Sequence, residues 1–600
     1  MPNKSRFIDI HEQARSYQRV KSKHIIKSLY SDFVDWHKIP NFPSKITAPS
    51  GRTIEFVDDP AVLIGTARFK NNNKRVCIIA QQTPADESER AKLNYGLVKA
   101  DGYGLAYNMM IYAEKNGLML HTYIDTIGGD PFEYSAEKLQ SWLISYCQGK
   151  MIRLNTKSIS VIIGSGGSGG AIALQLAHRR FMLSQAEYSV ITAEGCSAIL
   201  FRKADNIEEA LKVLQPSSDY MLRYGIVDKI IKEPSLDKSD YLEKALENIK
   251  KSVNQAVDEL ERSDIKHLQK NLREKIEQCG RLGTKRKRYQ AFAKRIKGWL
   301  PFSKTTNSQA SHMQIALYGA EPYVCNDEKD TEGKITRYGC RNRSTKEEFE
   351  SNYYACPFCQ KPSPLGSEDY LNLLLNSGSF HEIRPDISID DIDGTFRFHD
   401  YSDTRKKMAG RTDSKDSLII GYGMLADMPV AIAVCDFRFM GGSMGSVFGE
   451  KMRMIVDYAI NKRLPLISVS ATGGARMHEG TVALYQMPKT ILSIFKLKDA
   501  GLPYISVLGH PTTGGALASY VVQGDFILAE KKANVAFAGD RVVKLTSEGR
   551  ALDPRITTSE FYAKQGGINL AIERAQLKSA ISGLLRLTPW YKRFRKTMDS

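Results

Sequence analysis

Short apolar runs bounded by glycine alternate with stretches of helical periodicity along most of the 600 residues, which is the pattern of α/β folding. Runs at 61–64, 76–80, 118–124 and 159–163 read as strands, and 104–115 reads as a helix between them. This α/β domain closes near 227–231. Leu242, Leu246, Ile249, Val253, Val257 and Leu260 then recur at intervals of three or four, which predicts an amphipathic helix packed on a core. Residues 1–60 carry helical patterning and many charges, ended by Pro40, Pro43 and Pro49, and residues 301–311 are polar and unpatterned like a linker. A second α/β domain starts near Tyr370. The expected division is a helical arm (1–60), an α/β domain (61–235), a charged helix and basic linker (236–310), a cysteine-bearing segment (311–365) and a second α/β domain (366–600).

One local pattern recurs within this frame: an apolar strand runs into paired glycines and then opens a helix. Its fullest copies end in Gly164-Ser-Gly-Gly-Ser-Gly-Gly170 and in Ala471-Thr-Gly-Gly-Ala-Arg-Met477. Each half has a partner copy, Asp125-Thr-Ile-Gly-Gly129 in the first and His510-Pro-Thr-Thr-Gly-Gly515 in the second. Glycine lets the backbone approach a ligand closely, and the N–H groups left unpaired at a helix start point outward as donors. About forty residues separate the paired glycines in either half, a period that holds one strand–helix unit with its crossover. A duplicated design is expected.

Composition narrows the class. With 42% hydrophobic and 25% charged residues the chain is an ordinary globular mixture, not a disordered one. It has no run of about eighteen apolar residues, and its start lacks the apolar core of a secretory signal, so a soluble cytoplasmic protein without a membrane partner is expected. The net charge of +18 is fed by Lys285-Arg-Lys-Arg288 with Lys294, Arg295 and Lys297, and by Lys592-Arg-Phe-Arg-Lys596. Such runs are either a solvated face or an attraction to an acidic carrier protein or to coenzyme A phosphates.

Nine cysteines are too few and odd in number for a disulfide framework, but four cluster: Cys325, Cys340, Cys356 and Cys359. Cys356-Pro-Phe-Cys359 is a knuckle that gives two thiolates to one tetrahedral zinc, and four cysteines close a structural site. The first knuckle is irregular, because Arg337 stands where a partner of Cys340 would be. Either a long loop carries Cys325 back to the metal or the fourth ligand is missing.

Phe439-Met-Gly-Gly-Ser-Met-Gly-Ser446, Gly473-Gly-Ala-Arg-Met477, Pro511-Thr-Thr-Gly-Gly515 and Phe537-Ala-Gly539, behind a cysteine ribbon, resemble the β subunit of bacterial acetyl-CoA carboxylase carboxyltransferase. Tyr123-Ile-Asp-Thr126, Ile163-Gly-Ser-Gly-Gly-Ser-Gly-Gly-Ala171, Tyr188-Ser-Val-Ile-Thr192 and Glu194-Gly-Cys196 resemble its α subunit. The resemblance covers most of the chain and implies two normally separate subunits fused, α-like first. It implies two crotonase-like domains with a zinc ribbon between them, and transfer of a carboxyl group from carboxybiotin to acetyl-CoA, giving malonyl-CoA for fatty-acid synthesis. It also implies a homodimer of fused chains. No biotin-attachment Met-Lys-Met and no ATP-grasp segment is present, so the biotin carboxyl carrier protein and the biotin carboxylase are expected as separate partners.

Two oxyanions develop in that reaction, a thioester enolate and the ureido oxygen of biotin, and both call for fixed donors. By the same resemblance Gly473 and Gly474 hold the enolate, and either Gly166 and Gly167 or the adjacent Gly169 and Gly170 hold the biotin oxygen. Gly441, Gly442, Gly514 and Gly515 are expected at the acyl-CoA substrate. The chain departs from the family pattern at Gln81-Gln-Thr-Pro84, at Ile127-Gly-Gly-Asp-Pro-Phe132, at His510 where an aspartate is usual, and at Asp540.

Other readings compete. Gly164-Ser-Gly-Gly-Ser-Gly169 satisfies the dinucleotide fingerprint, but no acidic residue ends the next strand, since Glu187 precedes it. A basic zinc-ribbon protein that binds nucleic acid would need an aromatic-interleaved groove, and none is evident. A carboxyltransferase for another acyl-CoA, and a diverged paralogue without activity, complete the alternatives.

Overall fold

The computed structural model describes residues 5–201, 205–282, 323–329, 334–392, 401–539, 543 and 552–598. The basic run at 285–297, the linker at 301–311 and Asp540 lie outside the described residues. The chain forms two compact units: residues 1–279 with 475–492 and 537–552, and residues 280–474 with 493–536 and 553–600.

The first unit is built on eight strands: β1 (Tyr30–Asp35), β2 (Val62–Phe69), β3 (Arg75–Gln81), β4 (Met119–Thr126), β5 (Ser158–Gly167), β6 (Arg179–Leu183), β7 (Glu187–Ser189) and β8 (Lys229–Ile231). Their order is β1-β2-β3-β4-β5-β6-β8, with β7 paired to the end of β5. The first two pairings are antiparallel and the rest parallel. The central strands are buried along almost their whole length, as both faces of a parallel sheet are covered. Helices α1 (Arg6–Ala14), α2 (Ser22–Leu29), α3 (Ala100–Lys115), α4 (Gln140–Arg153), α5 (Ser168–Gln175) and α6 (Tyr241–Glu261) belong to this unit. In α6 the residues Ile249, Val253, Val257 and Leu260 are buried, as their spacing predicts, while Leu242 stays exposed. The arm is not wholly helical. After α2 it turns into β1, whose half-exposed edge position tolerates the polar residues that hide its alternation.

The second unit repeats the plan with β9 (His381–Glu382), β10 (Leu418–Leu425), β11 (Met428–Cys435), β12 (Leu466–Thr472), β13 (Tyr504–Thr513), β14 (Phe526–Glu530), β15 (Val535–Ala536) and β16 (Leu570–Ile572). The order is β9-β10-β11-β12-β13-β14-β16, again with two antiparallel pairings before the parallel ones. Strand β15 pairs the end of β13 as β7 pairs the end of β5. Both sheets also slip register at the end of the strand that precedes the glycines, between Ile124 and Thr126 and between Ser470 and Thr472. The two α/β units are thus copies of one design.

Topology corrects one detail of the duplication. The fullest glycine copy of the first unit follows β5, the fifth strand of its path, whereas that of the second follows β12, the fourth. By position, residues 164–170 correspond to 511–515, and 125–129 correspond to 471–474. Among the described residues no helix is long and apolar enough to cross a membrane.

Candidate active site

In the first unit the glycine run bridges strand and helix. Gly166 is still in the ladder, opposite Thr126 of β4 and Tyr188 of β7. Gly167 caps α5, and a Cβ there would lie 1.9 Å from the Ile127 carbonyl oxygen, so the close approach of two backbones excludes any side chain. The first three N–H groups of a helix have no partner within it, and here they belong to Ser168, Gly169 and Gly170. A Cβ on Gly169 would meet nothing nearer than Ile144 at 3.7 Å, whereas one on Gly170 would meet the Tyr103 hydroxyl at 2.6 Å. Of the two glycine pairs, then, 166–167 belongs to the strand and its cap, and 169–170 to the donor turn.

A cavity of about 30 Å³ lies against residues 165–168, with Glu187, Thr192 and Leu214 in its wall. It has room for little more than ordered water. Beside it Glu187 is buried and fully engaged: His11 Nδ1 is 2.7 Å from one carboxylate oxygen, and Arg15 Nε and the Ser165 hydroxyl donate to the other at 3.1 and 3.2 Å. Burial opposes the charge on Glu187, but Arg15 and His11 overcome it and hold its value down to about 2. Burial likewise opposes charge on His11, and hydrogen bonds to Glu187 and Glu194 raise it to about 9. Glu187 is therefore occupied by the arm and does not serve as the acidic residue of a dinucleotide site.

In the second unit three glycine pairs converge. Gly441 and Gly442 both have positive φ, and a Cβ on Gly442 would sit 2.0 Å from the Ala471 carbonyl oxygen. The Gly473 N–H donates to the Gly441 carbonyl at 2.8 Å, and Met444 N–H donates to the Gly474 carbonyl at 2.8 Å. Gly474, at φ +101°, faces the next junction, where a Cβ would meet the Gly515 nitrogen at 2.9 Å and Gly514 Cα at 3.2 Å. Gly473 and Gly474 are the expected donors to the enolate, and in this structure both N–H groups already have acceptors. Gly473 N–H is spent on Gly441, and Gly474 N–H turns back onto Thr472 Oγ1 at 3.0 Å. Gly514 N–H is also engaged, with the Ala536 carbonyl at 3.0 Å. Gly515 is the second residue of the turn that follows β13, at the register position that Gly169 occupies after β5.

The cysteines assemble. The Sγ atoms of Cys325, Cys340, Cys356 and Cys359 all lie within 4.8 Å of one another, with Cys325 to Cys359 and Cys340 to Cys356 at 3.7 Å. Four thiolates about 2.3 Å from one tetrahedral metal stand roughly 3.8 Å apart, so the cluster could hold such an ion. The chain from Cys325 does return to the site, its carbonyl accepting from Arg341 N–H at 2.8 Å.

Sequence reasoning missed what Arg337 does. Its guanidinium is buried, with Nη1 2.8 Å from His510 Nε2 and Nη2 donating to the carbonyls of Lys532 and Pro362. The residue that interrupts the first knuckle thus touches one of the departures from the family pattern. Burial, then Arg337, Arg574 and Lys361, push His510 well below its usual value, and the neutral ring accepts the Asn534 N–H at 3.1 Å. The His510 N–H donates to Glu530, which also forms a buried two-pronged pair with Arg574 at 2.8 Å.

The first half of the chain, residues 8–280, matches the family described as acetyl co-enzyme A carboxylase carboxyltransferase-like, and residues 375–574 match the carboxyl transferase domain. The acetyl-coenzyme A carboxylase carboxyl transferase subunit beta of Citrifermentans bemidjiense is 40% identical over 263 residues, which are 43% of this chain and 92% of that protein. The same subunit of Clostridioides difficile is 36% identical over 42% of this chain and 86% of its own length. Among solved structures, transcarboxylase 12S aligns over 96% of this chain and 92% of its own at 13% identity and a TM-score of 0.30. The β subunit of P. aeruginosa geranyl-CoA carboxylase aligns over 97% and 90% at 11% identity and a TM-score of 0.29.

Proposed function

The chain belongs to the acetyl-CoA carboxylase carboxyltransferase family, an α-like segment followed by a β-like one, and from that premise we propose that it carboxylates acetyl-CoA to malonyl-CoA. It is a biotin-dependent carboxyltransferase by membership. Biotin, carried on a separate protein and charged by a separate carboxylase, supplies the carboxyl group and takes up the proton of the acyl methyl.

The observation that carries the residue roles is the pair of glycine turns that follow the fifth strand at equivalent register in two duplicated sheets, the first of them opening a helix. In the α-like unit Gly169 and Gly170 N–H are the donors to the ureido oxygen, while Gly166 and Gly167 shape the turn. In the β-like unit the Gly515 N–H is the donor to the enolate oxygen, and Gly474 leaves the space beside it. Gly473, Gly441 and Gly442 fix that turn through the Gly473–Gly441 hydrogen bond, and Gly514 anchors its far side. Fixed donors of this kind are worth about 2.7–4 kcal/mol each at the transition state. The four-cysteine cluster holds a structural zinc, because all four ligands are thiolates and none leaves an open position.

Substrate choice is tested by offering the purified chain malonyl-CoA and methylmalonyl-CoA separately, with free biotin as carboxyl acceptor. The expected preference is for malonyl-CoA. Equal or greater turnover of methylmalonyl-CoA would make it a carboxyltransferase for another acyl-CoA, and no turnover of either would make it a diverged paralogue.

A further inference from the structure

The segment that departs from the family pattern after β3 lies directly against the glycine run of the α-like unit. Gln81 ends β3 and is fully buried, and its Nε2 donates to the Gly170 carbonyl at 3.0 Å. Ser22 of the arm donates to the Gln81 carbonyl at 2.6 Å, which holds that strand end in place. Two residues on, the Thr83 hydroxyl donates to Asp125 Oδ2 at 2.5 Å and accepts from Lys21 Nζ at 2.7 Å. Asp125 Oδ1 accepts the Ser165 N–H at 3.0 Å, and a Cβ on Gly164 would lie 2.3 Å from that same oxygen. Asp125 is buried, and Lys21 is 3.7 Å from it.

These contacts fall on the two ends of one stretch. Ser165 is tied at its N–H and Gly170 at its carbonyl, and between them lie Gly166, Gly167, Ser168 at φ +47° and Gly169. The ladders to β4 and β7 hold residues 165–167, but residues 168–170 have little side-chain packing to select one backbone conformation, so part of the selection has to come from outside the run. Polar clamps at both ends supply it. We propose that Gln81 and Thr83, with Lys21 behind Thr83, are positioning residues that fix the 165–170 turn so that its N–H groups stay aimed at one oxygen. The altered segment then replaces the usual residues in holding the turn and does not mark a lost site. The catalytic consequence rests on the function proposed above, but the bracing itself does not.

Thr83→Val removes the hydroxyl with little change of shape, Thr83→Ser keeps it, and Gln81→Met removes the other clamp. Hydrogen exchange of peptides spanning 163–175 reads the turn directly in the full-length chain. Thr83→Val and Gln81→Met are each expected to raise exchange there by about tenfold, the loss of one buried hydrogen bond to a charged or backbone group, while Thr83→Ser stays near wild type. In the malonyl-CoA and free biotin assay the same two variants should lose kcat about tenfold with KM for malonyl-CoA nearly unchanged, and Thr83→Ser should restore it. Unaltered exchange in both Thr83→Val and Gln81→Met overturns the bracing whatever the activities are. If the wild-type chain makes no acetyl-CoA, the proposed function fails while the exchange data still decide the bracing. Raised exchange with unchanged kcat in an active enzyme would overturn the positioning role.

Discussion

Gly473→Ala and Gly474→Ala differ by one residue in sequence and should differ by orders of magnitude in effect. A methyl on Gly473 has one neighbour, the Gly441 carbonyl at 3.4 Å, and the residue does not need positive φ. A methyl on Gly474 meets the Gly515 nitrogen at 2.9 Å and Gly514 Cα at 3.2 Å, and the backbone sits at φ +101°. That strain costs on the order of 1–3 kcal/mol, and it is relieved by moving the Gly515 turn away. Displacing one oxyanion donor costs about 10²–10³ in rate, or about 2.7–4 kcal/mol. Gly474→Ala is therefore expected to lose at least about 10²-fold in malonyl-CoA formation, and Gly473→Ala less than about tenfold, because the Gly473 N–H donates to Gly441 in either case. The assay follows malonyl-CoA from carboxylated carrier and acetyl-CoA, with acetyl-CoA binding and melting temperature measured for both variants. Equal losses in the two, or a wild-type rate in folded Gly474→Ala, would refute the assignment of Gly515 as donor.

Further outcomes follow from other parts of the chain. Cys356→Ser should lose bound zinc, and Cys325→Ser should lose or weaken it too, since Cys325 lies 3.7 Å from Cys359; zinc retained in both by metal analysis contradicts the site. Stability should fall with rising pH, because a histidine raised from 6.5 to about 9 contributes fully below pH 6.5 and loses its contribution as pH passes through about 9. That contribution is on the order of 3 kcal/mol at most, and His11→Gln should show a smaller drop in melting temperature between pH 7 and 9.5 than wild type. The fused chain should sediment as a homodimer, and a stable active monomer would contradict the assembly implied by the family.

The glycine motifs were legible in the sequence because a backbone approach this close admits only glycine, as Gly167 against Ile127 and Gly442 against Ala471 demonstrate, and paired glycines after an apolar run stand out even without the partner. The parallel strands were legible as apolar runs for the same reason, that burial on both faces leaves a local signature. What escaped depends on register and on returning chain. Which glycine copy matches which follows from the order of strands in the sheets, and that order is not written in any one strand. The spacing of Cys325 gives no sign that its loop folds back, and Arg337 read only as a missing ligand until its contact with His510 was seen. Gln81 and Thr83 looked like losses because a family comparison records what is replaced and not what the replacement touches. The acceptors of the Gly473 and Gly474 N–H groups, Gly441 and the Thr472 side chain, are likewise set by folding.

The most direct test of the central claim is biotin-dependent loss of the carboxyl group from malonyl-CoA. Purified, zinc-loaded chain is incubated with malonyl-CoA, with and without free biotin, and acetyl-CoA is followed. Acetyl-CoA should form in proportion to biotin and fall at least about 10²-fold in Gly474→Ala. Folded protein that forms none, or forms it equally without biotin, would contradict it.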